Sequence, residues 1–146
     1  MSRRLAREYA VQFLYSYDFN KEENVEGLTE EFFNLQESQA DEDKGNKLSG
    51  QDKNFSIELI KGTLENLEKI DEEINTSTIG WKKERIAKVD LAILRLAVYE
   101  ILFRDDIPDS VSANESIEIS KKFSTEDSSS FVNGVIGKII RSKALV

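Results

Sequence analysis

The chain has no cysteine and no histidine, and only one proline and seven glycines among its 146 residues. Without cysteine there is no disulfide framework and no thiolate metal site. The loss of both residue types also removes the usual nucleophile–base pairs and most transition-metal centres. Neither a G-x-x-x-x-G-K-[ST] loop nor a G-x-G-x-x-G turn is present to cradle phosphates, so no cofactor or metal is expected. Adjacent acids such as Asp105 and Asp106 have the chemistry for proton transfer. With no catalytic partner they read as solvated surface, and the chain does not read as an enzyme. Long apolar runs are missing too. The longest, Leu91 to Phe103, is interrupted by Arg95 and Glu100 and falls short of a bilayer span. The N-terminal MSRRLARE lacks the apolar stretch of a secretory signal. A cytoplasmic protein with no membrane association is the expectation.

The same scarcity of proline and glycine leaves long segments free to be helical, and the fold class expected is all-α. A first helix is predicted from about Arg3 to about Tyr17, with Leu5, Ala6, Tyr9, Phe13 and Tyr17 on its core face. A second is predicted near Val25 to Phe33. The polar stretch ESQADEDKGNKLSG, within about residues 37–52, reads as an acidic loop. A third helix, Phe55 to Ile74, spaces Phe55, Leu59, Thr63, Leu67, Ile70 and Ile74 like a seam. Gly62 in its middle costs about 1 kcal/mol relative to alanine, which close approach of a neighbouring helix would explain. NTSTIGW, Asn75 to Trp81, then breaks the pattern and marks the expected boundary between two sub-bundles, about 1–76 and 80–146.

In the second half, Val89 to Phe103 is apolar nearly all round and should be a central strut. Pro108 disfavours α conformation at Ile107 and stops it. Ser112 and Glu115 have capping-box spacing for the next helix, which reaches about Phe123. Thr125 through Ser128 can cap a last helix, Asp127 to Arg141, whose seam uses Phe131, Val135, Ile136 and Ile139.

The net charge of −8 argues at first against a polyanionic ligand. Its distribution reverses that. Residues 21–52 carry ten acidic and three basic side chains, a net of −7, so the rest of the chain is nearly neutral. Local potential decides polyanion binding, and a basic edge can coexist with an acidic total. Such an edge is predicted on the first helix, where Arg4, Arg7, Val11 and Tyr15 form a stripe the core does not claim. Arginines there, with Arg3, have the donors for phosphates, and Tyr15 offers a flat face to an unpaired base. Cations at a helix N-terminus are also mildly unfavourable, by about 0.3–1 kcal/mol each, a strain that an anion would relieve.

Three blocks, RRLAREYAVQFLYSYD, KVDLAILRLAVYEILFRDDIP and NESIEISKKFSTEDSSSFVNGVIGKI, resemble the NusB family in order and spacing. The FVNGV motif (Phe131 to Val135) together with LR-x-x-x-YE (Leu94 to Glu100) makes the resemblance specific. It implies a compact helical domain of two packed three-helix sub-bundles. It also implies a transcription antitermination factor that pairs with ribosomal protein NusE to bind single-stranded boxA RNA. Such a pair joins the RNA polymerase antitermination complex and promotes read-through, notably in ribosomal RNA operons. On this resemblance Arg3, Arg4, Arg7, Tyr15, Asp127 and Phe131 are RNA-binding residues, and Asp90 belongs to the NusE contact. A homodimer that hides the arginine face is the second reading. An accessory domain of an RNA methyltransferase, the third, is not expected, since the chain ends soon after its last helix. The chain departs from the family pattern at Asp109 and Ser110, where a tyrosine and a lysine are common. It departs again at Ser129 and Ser130, where His-Lys is common, and at Leu5, which interrupts an arginine run. Weak RNA binding by the isolated protein follows from these losses of positive and stacking surface.

Overall fold

The computed structural model describes residues 3–19, 25–40, 48–78 and 85–145. These residues form seven helices and no strand: α1 (Arg3–Phe19), α2 (Val25–Ala40), α3 (Gly50–Glu65), α4 (Leu67–Ser77), α5 (Lys88–Phe103), α6 (Asp109–Phe123) and α7 (Glu126–Ala144). None is long and apolar enough to cross a membrane. The chain divides into two compact units, Met1–Lys61 and Gly62–Val146. The division falls inside α3 and not at the expected 75–81 boundary, part of which lies outside the described residues. The reason is that α4 packs on α5 and α7 and so belongs to the second unit.

The first unit is held by aromatics. Tyr9 meets Phe32 and Phe33 edge-on, with centroids 6.5 and 6.4 Å apart, and Phe13 meets Phe32 at 5.6 Å. Edge-to-face pairs of this kind add about 0.5–1.5 kcal/mol beyond area burial. The Ser56 hydroxyl donates to the Ala6 carbonyl at 2.8 Å, tying α3 to α1 where a small residue lets the backbones come close. Part of the stretch expected to be an acidic loop is helical. Residues 37–40 extend α2, residues 50–52 begin α3, and residues 41–47 lie outside the described set.

The single helix expected over 55–74 is two helices. Asn66 turns its side chain back onto the Gly62 carbonyl at 2.8 Å, the acceptor its own backbone N–H also reaches at 3.2 Å. That local competition for a helix acceptor ends α3, and α4 restarts with Ile70 N–H donating to Asn66. Gly62 itself is buried against the Tyr99 ring of α5, which occupies the space a Cβ would need. The close approach that the glycine signalled is present.

In the second unit every residue of α5 from Asp90 to Ile101 is buried. Its charged members are partnered. Arg95 makes a two-pronged pair with Asp71 of α4, both distances 2.9 Å. Glu100 accepts from the Ser112 hydroxyl of α6 at 2.8 Å. Ser112 is therefore not the predicted cap. The carbonyl of Pro108 takes Val111 N–H at 3.0 Å and Ser112 N–H at 3.2 Å, so α6 starts a turn earlier. The Arg104 guanidinium, at the end of α5, is held above its ordinary range by its hydrogen bonds to Asp106. Thr125 does cap α7, its hydroxyl accepting from Ser128 N–H at 3.1 Å. The seam of α7 is Val132, Val135, Ile136 and Ile139, while Phe131, assigned to it from the sequence, is only half-buried.

These contacts predict how stability responds to substitution. Gly62→Ala drives a methyl group into Tyr99 and should cost about 1–3 kcal/mol in urea unfolding. Gly134→Ala, with open space around its Cβ in mid-helix, should instead stabilise by about 0.5–1 kcal/mol. Asp71→Ala strands the buried Arg95 guanidinium and should destabilise by about 3 kcal/mol. The double variant Asp71→Leu with Arg95→Met should recover most of that loss, which a double-mutant cycle measures directly.

Candidate nucleic-acid interface

α1 begins with two exposed arginines, Arg3 and Arg4, and no acid in its first turn. The positive end of the helix dipole and the two guanidiniums therefore carry charge of the same sign. Arg3 is not loose. Its guanidinium lies 4.1 Å over the ring of Phe55 on α3. Arg7 sits 5.4 Å over the same ring and is only 4% exposed. Val11 is 2% exposed. The stripe read from periodicity as unclaimed by the core is thus claimed in its middle. Residues Ala6 to Val11 are buried on every side of α1, and exposure returns at Tyr15, 40% exposed. Arg4 and Tyr15 do share a face, since eleven residues close to within about 20° of three full turns. They stand about 16 Å apart along the axis at 1.5 Å per residue. Sequence periodicity gave the angle and could not show the cover over the middle turns.

Tyr15 has a neighbour that the sequence reading passed over. Phe19, one turn on, is 58% exposed, and the two ring centroids are 5.1 Å apart with planes inclined at 69°. The signal was available in the i, i+4 spacing of two aromatics off the core face.

The second unit holds the remaining candidate residues. Asp127 is exposed in the first turn of α7, beside Glu126. Phe131 lies one turn further on and is half-buried. Asp90 is 4% exposed, and its carboxylate accepts from the Ser124 hydroxyl at 3.1 Å. It anchors the connection between α6 and α7 and presents almost no surface of its own. Of the departures from the family pattern, Ser110 and Ser130 are exposed. Ser129 is buried, its hydroxyl 2.9 Å from that of Ser120. Asp109 pairs with Lys143, whose ammonium donates to both carboxylate oxygens at 3.0 and 3.2 Å and to the Ile101 carbonyl at 2.8 Å. Among the described residues no cluster of acids is placed to hold a metal ion.

Comparison with known proteins gives a consistent picture. The NusB family model matches residues 4–141. The transcription antitermination protein NusB of Acetivibrio thermocellus is 41% identical, over 99% of this chain and 92% of its own length. That of Clostridium botulinum is 44% identical over 96% of this chain and all of its own. Among solved structures, T. maritima NusB superposes with a TM-score of 0.81 at 35% identity, covering 97% of this chain and 92% of that one. The antitermination factors NusB and NusE in complex with dsRNA give a TM-score of 0.79 at 24% identity, covering 96% of each chain, a likeness of fold.

The two arginine environments predict different stability effects. Arg7→Ala removes a buried stem and a guanidinium held over Phe55, and should lower the unfolding free energy by about 1–2 kcal/mol. Arg4→Ala, at an exposed position, should stay within about 0.5 kcal/mol of the wild type in the same urea titration.

Proposed function

The chain belongs to the NusB family, and from that membership we propose that it is an RNA-binding transcription antitermination factor. Its role is recognition and not catalysis. It pairs with ribosomal protein NusE, the pair binds boxA in nascent RNA, and the assembly helps RNA polymerase read through terminators, notably in ribosomal RNA operons. The observation that carries the RNA side is the start of α1: two exposed arginines at a helix N-terminus that lacks any first-turn acid. Phosphate neutralisation by arginine is strong and carries no sequence information, so it fixes where the strand lies. Tyr15 supplies stacking, the sequence-tolerant part of single-strand binding.

The other assigned residues divide by exposure. Arg7, being buried on Phe55, acts by holding this end of α1 in place. Asp127 and Phe131, accessible on the first turns of α7, are a separate RNA contact on the second unit. Asp90 serves the NusE contact indirectly, by fixing the α6–α7 connection through Ser124. The pairing with NusE is supported by the family match and by the related NusB–NusE–RNA assembly.

Fluorescence anisotropy with a labelled boxA-like single strand and a scrambled control, with and without purified NusE, tests the reading. Selective binding that tightens with NusE is expected. Replacing both Arg3 and Arg4 by alanine should weaken that binding and flatten the log–log salt slope by about 1.4, at about 0.7 per lost phosphate contact on a single strand. Equal weak binding to both RNAs, or an unchanged slope in the double variant, would overturn it.

A further inference from the structure

Phe19 is the most exposed aromatic ring among the described residues. A ring of that size left in water is open to a ligand, and its surroundings say which kind. Its nearest ring is Tyr15, itself exposed, and the two stand on α1 in continuity with the RNA face proposed above. Both are flat surfaces on a rigid helix, one turn apart. An apolar protein segment would favour a concave seat, whereas two exposed rings on a convex helix suit planar ligands. Resting on the RNA-binding reading, we propose that Tyr15 and Phe19 form a platform for two unpaired bases of a single strand, with Phe19 a binding residue in its own right.

The geometry fixes how the strand passes. The ring planes are inclined at 69°, so a base lying flat on one ring and a base lying flat on the other cannot stack on each other. The strand must be splayed at this point, which duplex RNA does not permit and an unpaired segment does. Phe19 has no hydrogen-bonding group, so its contribution is to affinity and not to the choice of letter. It also contacts no phosphate, so its removal leaves the salt dependence alone. That separates it from Arg3 and Arg4.

The test uses the full chain with NusE and a fluorescein-labelled boxA-like single strand, with anisotropy read at several salt concentrations. Phe19→Ala should weaken binding roughly five-fold or more with no change in salt slope, the lower end of the loss typical of one stacked base. Phe19→Leu, which keeps apolar volume without a flat face, should be nearly as weak, while Phe19→Tyr should restore binding. A 2-aminopurine placed in the strand should show quenching on binding that is lost in Phe19→Ala. Wild-type affinity in Phe19→Ala or in Phe19→Leu overturns the platform. If Tyr15→Ala and the Arg3/Arg4 double variant still weaken binding in that case, only the platform falls. If they too bind like the wild type, the RNA-binding face itself is misplaced.

Discussion

A helix that is apolar on every side is stable only if other helices cover it on every side, and α5 imposes that condition on the second unit. α4, α6 and α7 all pack on it. Hydrophobic cover alone would leave their registers loose, because apolar contact is not directional. Three buried polar residues of α5 remove that freedom. Asp90, Arg95 and Glu100 are five residues apart, so successive members point about 140° from one another and the three directions divide the circumference. Each reaches a different element: Ser124 at the α6–α7 connection, Asp71 on α4, Ser112 on α6. A one-residue slip of any covering element would leave a buried charge or hydroxyl unpaired, which costs more than the pair itself gains.

That keying carries through to the surface. Ser124 is the last residue before the cap of α7, so the bond from Asp90 sets where α7 begins. The Ser120–Ser129 pair closes the other side of the same turn, and Thr125 satisfies an orphan N–H at the start of α7. Asp127 and Phe131 are therefore presented by a helix start that is fixed from three directions. In the first unit the corresponding device is Phe55, whose ring takes the guanidiniums of Arg3 and Arg7 and so limits where the basic end of α1 can move.

The parts of this design that depend on pattern were legible in the sequence. All-round apolarity gave α5, the RDDIP stretch (Arg104 to Pro108) gave its stop, Thr125 gave the cap of α7, and Gly62 gave the close approach that Tyr99 fills. The parts that depend on one side chain choosing between two partners were not. Asn66 looks like any polar helix residue until its amide takes the Gly62 carbonyl. Ser112 has the spacing of a cap, but Pro108 had already supplied the first acceptor, and the hydroxyl went to Glu100. Arg7 and Val11 lie on the polar side of α1 by angle and are buried all the same. Periodicity describes one helix in isolation and says nothing of how many neighbours surround its middle turns. The chemical role drew on the family motif, because arginines at a helix start are common on proteins that bind no RNA.

The departures from the family pattern take on a different weight once placed. Of the five positions read as losses of positive or stacking surface, four lie in the second unit. Ser129 follows the core seam of α7, at the spacing 129, 132, 136 and 139, and its hydroxyl is spent on Ser120. A residue there faces inward, so its identity bears on packing and not on a phosphate. Asp109 adds a negative charge, but Lys143 lies against it and the local sum is close to zero. An exposed pair of this kind contributes little to stability. Its consequence is electrostatic: it removes the repulsion that an unpaired acid would exert on an approaching strand. Of these four, Ser110 and Ser130 remain as exposed positions where a cation would have faced solvent. The losses that reach the surface therefore shrink to two neutral sites in the second unit and the half-buried Leu5 on α1.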